Sequence, residues 1–141
     1  MATTHYTRRT LGFELLMLLA AAGLLLKGVD DRNERKARLE KAFDDAMLDL
    51  CKRTKAETGH DSKTFLSMIM DHRGRRTAQI LLHSPAVQEG FTAVWMVGRL
   101  DLTVEALILQ DQWSTLFTAE ELAIAVKRLR EHGYQDRHPL Q

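Results

Sequence analysis

The chain is poor in the residues that build loops, sheets and cross-links. It has 8 glycines and 2 prolines in 141 residues, which argues against a loop-rich or all-β fold. A single cysteine, Cys51, excludes an intramolecular disulfide and fits a reducing compartment. In a strongly helical stretch after Leu50, Cys51 reads as a small buried hydrophobe. The formal charge is only +1, so no global field draws the chain to nucleic acid or to an anionic membrane. Any such contact would need a local patch. None of the six histidines, His5, His60, His72, His83, His132 and His138, stands three or four residues from another. The spacing that puts two imidazoles on one helical face for a metal is therefore missing. No repeat, low-complexity stretch, cofactor motif or catalytic motif is present, so no catalytic, cofactor-binding or metal-ligating residue is assigned.

What is present is helical. Apolar residues recur at three- and four-residue spacing over most of the chain, between recognisable helix starts and stops. The length suits one domain, large enough to fold without metal or disulfide. The expected fold is all-α, a compact bundle of about five to seven short helices with a long N-terminal helix. Three regions are expected: an apolar helical segment at 1–30, an all-helical domain at 31–134 and a tail at 135–141.

In the domain, a helix is predicted from Arg32 to about Glu57, after a stop at Gly28 and a cap at Asp30 or Asp31. Its inner stripe is Leu39, Phe43, Ala46/Met47 and Leu50. Gly59 stops it, and Asp61 or Ser62 starts the next. Phe65, Leu66 and Ile69 form the inner face of that helix, and Gly74 breaks it. Arg75–His83 follows. Ser84-Pro85 predicts a further start, ended by Gly90. A short helix over Phe91–Val97 leads to a turn at Gly98–Asp101, and Asp101 or Thr103 caps a strongly apolar helix to Gln110. Asp111–Phe117 folds back on the core. Thr118-Ala119-Glu120-Glu121 is a capping box. The last helix ends at about His132, with Gly133 as C-cap and Tyr134 closing a Schellman contact. Val94–Leu100 and Leu102–Leu109 could be short buried strands, but their caps favour helices.

The N-terminal stretch Leu11–Val29 is the most unusual. Its uninterrupted apolar core, Leu15–Leu26, is twelve residues, shorter than the roughly twenty of a membrane span. Extending it draws in Glu14 and Lys27. Arg8 and Arg9 ahead of it and Ala20-Ala21-Ala22 within it also suit an export signal, and Thr7–Leu11 weakly resembles a twin-arginine motif. Three readings stay open: a helix packed on its own domain or on a partner, a membrane anchor, and an export signal. A soluble helix this apolar needs cover, from a protein partner or from a second copy. A cytoplasmic location is expected, with membrane-anchored or exported forms as alternatives.

Three local features could carry function. Arg73, Arg75 and Arg76 flank Gly74 and are the candidate phosphate or nucleic-acid contact, since arginines can grip phosphate bidentately. No aromatic residues interleave with them. Glu40/Asp44 and Asp45/Asp49 are carboxylate pairs one helical turn apart, read as a solvated face. Phe91–Gln110 has a helix-turn-helix outline, but Leu102–Leu109 is too apolar to read base edges.

From Phe43 to Tyr134, about two thirds of the chain, the sequence resembles a family of small bacterial proteins of unassigned function. The resemblance rests on Phe43-Asp44-Asp45-Ala46-Met47, on Gly90-Phe91-Thr92-Ala93-Val94-Trp95, on Gly98 to Leu107, and on Leu116 to Glu121 with Arg128-Leu129 and Gly133-Tyr134. It implies no activity and transfers no catalytic residue. A pocket lined by Trp95, Arg99 and Glu105 is the candidate ligand or enzymatic site. The competing account is structural: Gly98 as a left-handed turn residue, Asp101 as a cap, and Arg99 paired with Asp101 or Glu105. The expected function is a helical interaction or regulatory module acting through a partner protein. The alternatives are a nucleic-acid-associated protein and a small-ligand or enzymatic site.

Overall fold

The computed structural model describes residues 7–134, with side chains from Gly12 onward; the segment read as a tail at 135–141, with His138, and also His5, lie outside the described residues. The fold is all-α and 84% helical, with no strand among the described residues. Five α-helices follow one another: α1 (Thr7–Thr58), α2 (Lys63–His83), α3 (Glu89–Met96), α4 (Val104–Ile108) and α5 (Ala119–Glu131). A single 3₁₀ turn lies at Leu100–Leu102 and a six-residue 3₁₀ helix at Asp111–Leu116. The chain divides into two units, Met1–Arg38 and Leu39–Gln141.

The first unit is the leading part of α1. The stop expected at Gly28 does not occur, and the helix runs straight through it. A glycine inside a helix costs only about 1 kcal/mol relative to alanine, and the Leu, Ala, Lys, Glu and Arg around it are strong helix formers. The exposed carbonyl of Gly28 accepts a hydrogen bond from Arg32 Nε at 3.2 Å, and that of Asp31 accepts one from Arg35 Nε at 3.2 Å. Asp30 and Asp31 are thus mid-helix residues, not caps. The large side chains from Phe13 to Leu26 are all 59–73% exposed. By length and composition this is a helix that could cross a membrane.

The second unit holds the core. Phe43, Met47 and Leu50 form the buried stripe of α1, as their spacing predicts. They meet Ile69, Ala78 and Leu82 of α2, Val94 of α3, Leu107 and Ile108 of α4, and Ala125 of α5. Phe43 sits at the centre, edge-on to Trp113 and to Phe117, each at a centroid distance of 5.3 Å. A second cluster joins Phe91, Leu100 and Leu129, with Tyr134 against it.

α2 kinks at Arg73, whose φ of 66° and ψ of 169° lie outside the helical region. The kink falls next to the break expected at Gly74. Gly74 is where α2 passes closest to α1: a Cβ there would stand 3.1 Å from Asp44 Cα and from Met47 Cγ. Its N–H donates to Asp44 Oδ1 at 2.7 Å, and Thr77 Oγ1, beyond the kink, donates to the Met68 carbonyl at 2.9 Å.

The helix expected from Ser84-Pro85 is absent, and Gly90 lies within the first turn of α3 instead of ending a helix. Ser84 is engaged as the C-cap of α2: its N–H donates to the Ile80 and Leu81 carbonyls, and its ψ of 131° is the extended conformation that a following proline imposes. The other caps form as expected. Ser62 Oγ accepts from Phe65 N–H, Thr103 Oγ1 from Ala106 N–H, and Thr118 with Glu121 closes a reciprocal capping box. At the end of α5, Gly133 has φ 80°, its N–H donates to the Arg130 carbonyl and that of Tyr134 to the Leu129 carbonyl, a complete Schellman motif.

Candidate functional site: a polar-ended cavity in the helical unit

A cavity of about 330 Å³ opens in the second unit, where α1, the start of α2, the start of α3 and the start of α4 come together. Such a volume is at the lower end of that of small-molecule sites. Its apolar wall is built by Leu50, Phe65, Met68, Leu81, Phe91 and Val94.

Six polar side chains line the cavity from buried or half-buried positions: Cys51, Thr54, His60, Ser62, Thr103 and Glu105. The Thr103 hydroxyl is engaged, donating to the Leu100 carbonyl at 2.7 Å and accepting from Ala106 N–H at 3.1 Å. Thr54 is 9% exposed, and its hydroxyl has no hydrogen-bond partner among the described residues. Glu105 is 5% exposed, and its Oε1 accepts from Arg128 Nη1 at 3.1 Å. Its Oε2 takes no hydrogen bond from the described residues and is not sealed from solvent.

Arg128 is what makes a buried Glu105 tolerable. Its side chain is 13% exposed, and its guanidinium also donates to the carbonyls of Leu81 at 2.8 Å, Leu82 at 2.9 Å and Ser84. A planar guanidinium with five N–H donors can serve four acceptors at once, which lysine cannot. The mouth of the cavity carries His60, Asp61, Lys63 and Glu89. Asp61 is already paired with Lys55 Nζ at 2.8 Å, and that hydrogen bond holds its carboxyl below the usual range.

Burial, and then the negative charge of Asp61, push the Cys51 thiol up from 9.0 to about 11. The thiolate is the reactive form. Two pKa units mean that alkylation of the native chain by iodoacetamide near pH 8 should run roughly a hundred-fold slower than in urea. Mass spectrometry of timed samples reads this directly. Native labelling within ten-fold of the unfolded rate would show that the thiol is not held in this environment.

The residues singled out in the sequence are distributed differently. Arg73 Nε and Nη2 donate to Asp44 Oδ2 at 3.0 and 2.8 Å. Arg75 donates to Glu40 Oε1 at 2.8 Å and to the Leu116 carbonyl at 2.9 Å. Arg76 is exposed. Glu40 and Asp44, read as a solvated face, are therefore the counter-ions of the arginine cluster, while Asp45 lies beside Lys41 at 3.7 Å.

Trp95, Arg99 and Glu105 have three separate sets of partners. Trp95 Nε1 donates to the His132 carbonyl at 3.1 Å, and its ring stands edge-on to the His132 imidazole. Arg99 grips both oxygens of Asp101 at 2.9 Å and also bonds Glu57. These hydrogen bonds hold the Asp101 and Glu57 carboxyls below their ordinary values. Of the three, only Glu105 lines the cavity. Sequence reasoning missed Thr54 and Arg128. The visible signal was Glu105 itself, a lone acid in the apolar run Leu102–Leu109, which calls for a buried cation from elsewhere.

Compared with known proteins, the chain matches no family model, no curated protein and no solved structure.

Proposed function

We propose that this is a membrane-tethered helical module: the leading part of α1 sits in the bilayer, and the unit from Leu39 onward acts from the cytoplasmic face through what it binds. The observation that carries this reading is the exposure of every large apolar side chain from Phe13 to Leu26. A partner helix, or a second copy, would cover one stripe, and the apolar residues would then be confined to that stripe. Here Leu15 to Leu26 is apolar on all faces, which suits an apolar solvent on every side. At 1.5 Å per residue, the nineteen residues Leu11–Val29 reach about 28 Å, close to the ~30 Å hydrocarbon core. Glu14 and Lys27 then fall near the two interfaces, where Lys can snorkel. Arg32, Arg35, Lys36 and Arg38 follow the segment and Lys27 stands at its end, against Arg8 and Arg9 before it, and that excess favours a cytoplasmic second unit.

The nucleic-acid alternative is weakened by the pairing of Arg73 with Asp44 and of Arg75 with Glu40, which leaves Arg76 as the member of the cluster with no carboxylate partner among the described residues. The test is flotation of the full chain with liposomes, beside its Leu19→Arg variant. The wild-type chain is expected to float and to resist carbonate extraction. The arginine, near the middle of the segment, costs about 2.5–3.5 kcal/mol in insertion and should shift most of the protein to the soluble fraction. A wild-type chain that stays soluble as a discrete oligomer overturns the anchor and favours a second copy as the cover.

A further inference from the structure

We infer that the 330 Å³ cavity binds a small, neutral, amphipathic molecule: an apolar ring or branched chain ending in a hydroxyl or amide that donates to Glu105 Oε2 and meets the Thr54 hydroxyl. The argument starts from what is unsatisfied. Glu105 and Thr54 are nearly buried residues lining the same space, and Glu105 Oε2 and the Thr54 hydroxyl have no partner among the described residues while staying open to what enters the cavity. Polar groups so placed are normally hydrogen-bonded. The neighbouring hydroxyls do not compete for this role: Ser62 and Thr103 are held by their helix caps.

Charge selects among ligands. Glu105 is balanced by Arg128 inside; at the mouth Asp61 is paired with Lys55, and Lys63 and Glu89 are of opposite sign, so interior and mouth carry no excess of either charge. A carboxylate or phosphate would meet the free oxygen of Glu105, acceptor against acceptor. An ammonium would add a cation to a site that Arg128 already neutralises, and a buried excess charge is costly. A neutral donor suits Glu105 Oε2 without either cost. The apolar wall of Leu50, Phe65, Met68, Leu81, Phe91 and Val94 takes the other end of the molecule.

Five probes sharing one ring separate these cases: benzyl alcohol, benzamide, toluene, benzoate and benzylammonium. The full chain, in detergent micelles and with carbon-13 methionine methyls, supplies its own reporters. Met68 lines the cavity, Met47 is sealed in the core, and Met70 and Met96 are exposed. Benzyl alcohol and benzamide should shift the Met68 methyl saturably and leave Met96 in place. Toluene and the two charged probes should bind at least ten-fold more weakly. Thr54→Val, which keeps the shape and removes the hydroxyl, should weaken the neutral donors about five-fold. An unmoved Met47 signal shows that the variant is folded. The inference is overturned if no probe moves Met68, if toluene or a charged probe binds as well as benzyl alcohol, or if the folded Thr54→Val variant binds them equally. Because the signal comes from Met68, the result is independent of whether Gly12–Leu26 lies in lipid.

Discussion

Arg128→Met is expected to destabilise the second unit by about 3–5 kcal/mol, the usual cost of removing one partner from a buried ion pair. The methionine fills much of the arginine's volume, so the loss is mainly electrostatic. Glu105 would keep its burial and lose its cation, and the carbonyls of Leu81, Leu82 and Ser84 would lose their donor. Domains of this kind are stable by only some 5–15 kcal/mol, so the effect is large. Urea titration followed by helical circular dichroism measures it. Adding Glu105→Gln to the same chain removes the stranded charge and should recover part of the loss. A change below 1 kcal/mol in the single variant would mean that the pair does not carry this role.

Phe43→Ala should cost a similar amount, about 3–5 kcal/mol, for a different reason. Phe43 is fully buried, so its removal opens a cavity at the centre of the core. Its two edge-to-face contacts, with Trp113 and Phe117, each add about 0.5–1.5 kcal/mol beyond the buried area. The emission of Trp113 should respond as well, since it loses the ring against which it packs. Met96, 76% exposed on α3, is the natural control: Met96→Ala should stay within about 0.5 kcal/mol of the parent. If Phe43→Ala and Met96→Ala shift the midpoint equally, the centre of the core lies elsewhere.

Legibility in the sequence divides along the range of the interactions. The capping box at Thr118, the Schellman end at Gly133 and the Phe43–Met47–Leu50 stripe are local, and each is readable within a few residues. Local signals also misled. Gly28 followed by two aspartates has the grammar of a helix end, yet strong helix formers on both sides carry α1 through it. Ser84-Pro85 has the grammar of a start, but the serine is taken by the helix before it. The long-range contacts were beyond reach. Asp44 looked like any acid on a polar face until α2 crossed it at Gly74. Arg128 stood out only as a neighbour of Leu129, with nothing local to tie it to Glu105. For the cavity, Glu105 was visible as a misfit in an apolar run, while Thr54 stands in a helix as an unremarkable polar residue.

The kink at Arg73 gives the second half of α2 a new N-terminal end, and groups from other helices reach both that end and the C-terminal one. Asp44, thirty positions earlier, accepts from the N–H of Gly74; Arg128, more than forty positions later, donates to the carbonyls of Leu81, Leu82 and Ser84. A helix of ten residues is marginal by itself in water, and the local cap at Ser84 closes only its far end. It can form only as α1 and α5 dock on either side. Its amide hydrogens should therefore exchange together with those of α1 and α5, in a single opening step, and the chain's first and last folded helices become one cooperative unit through the segment between them.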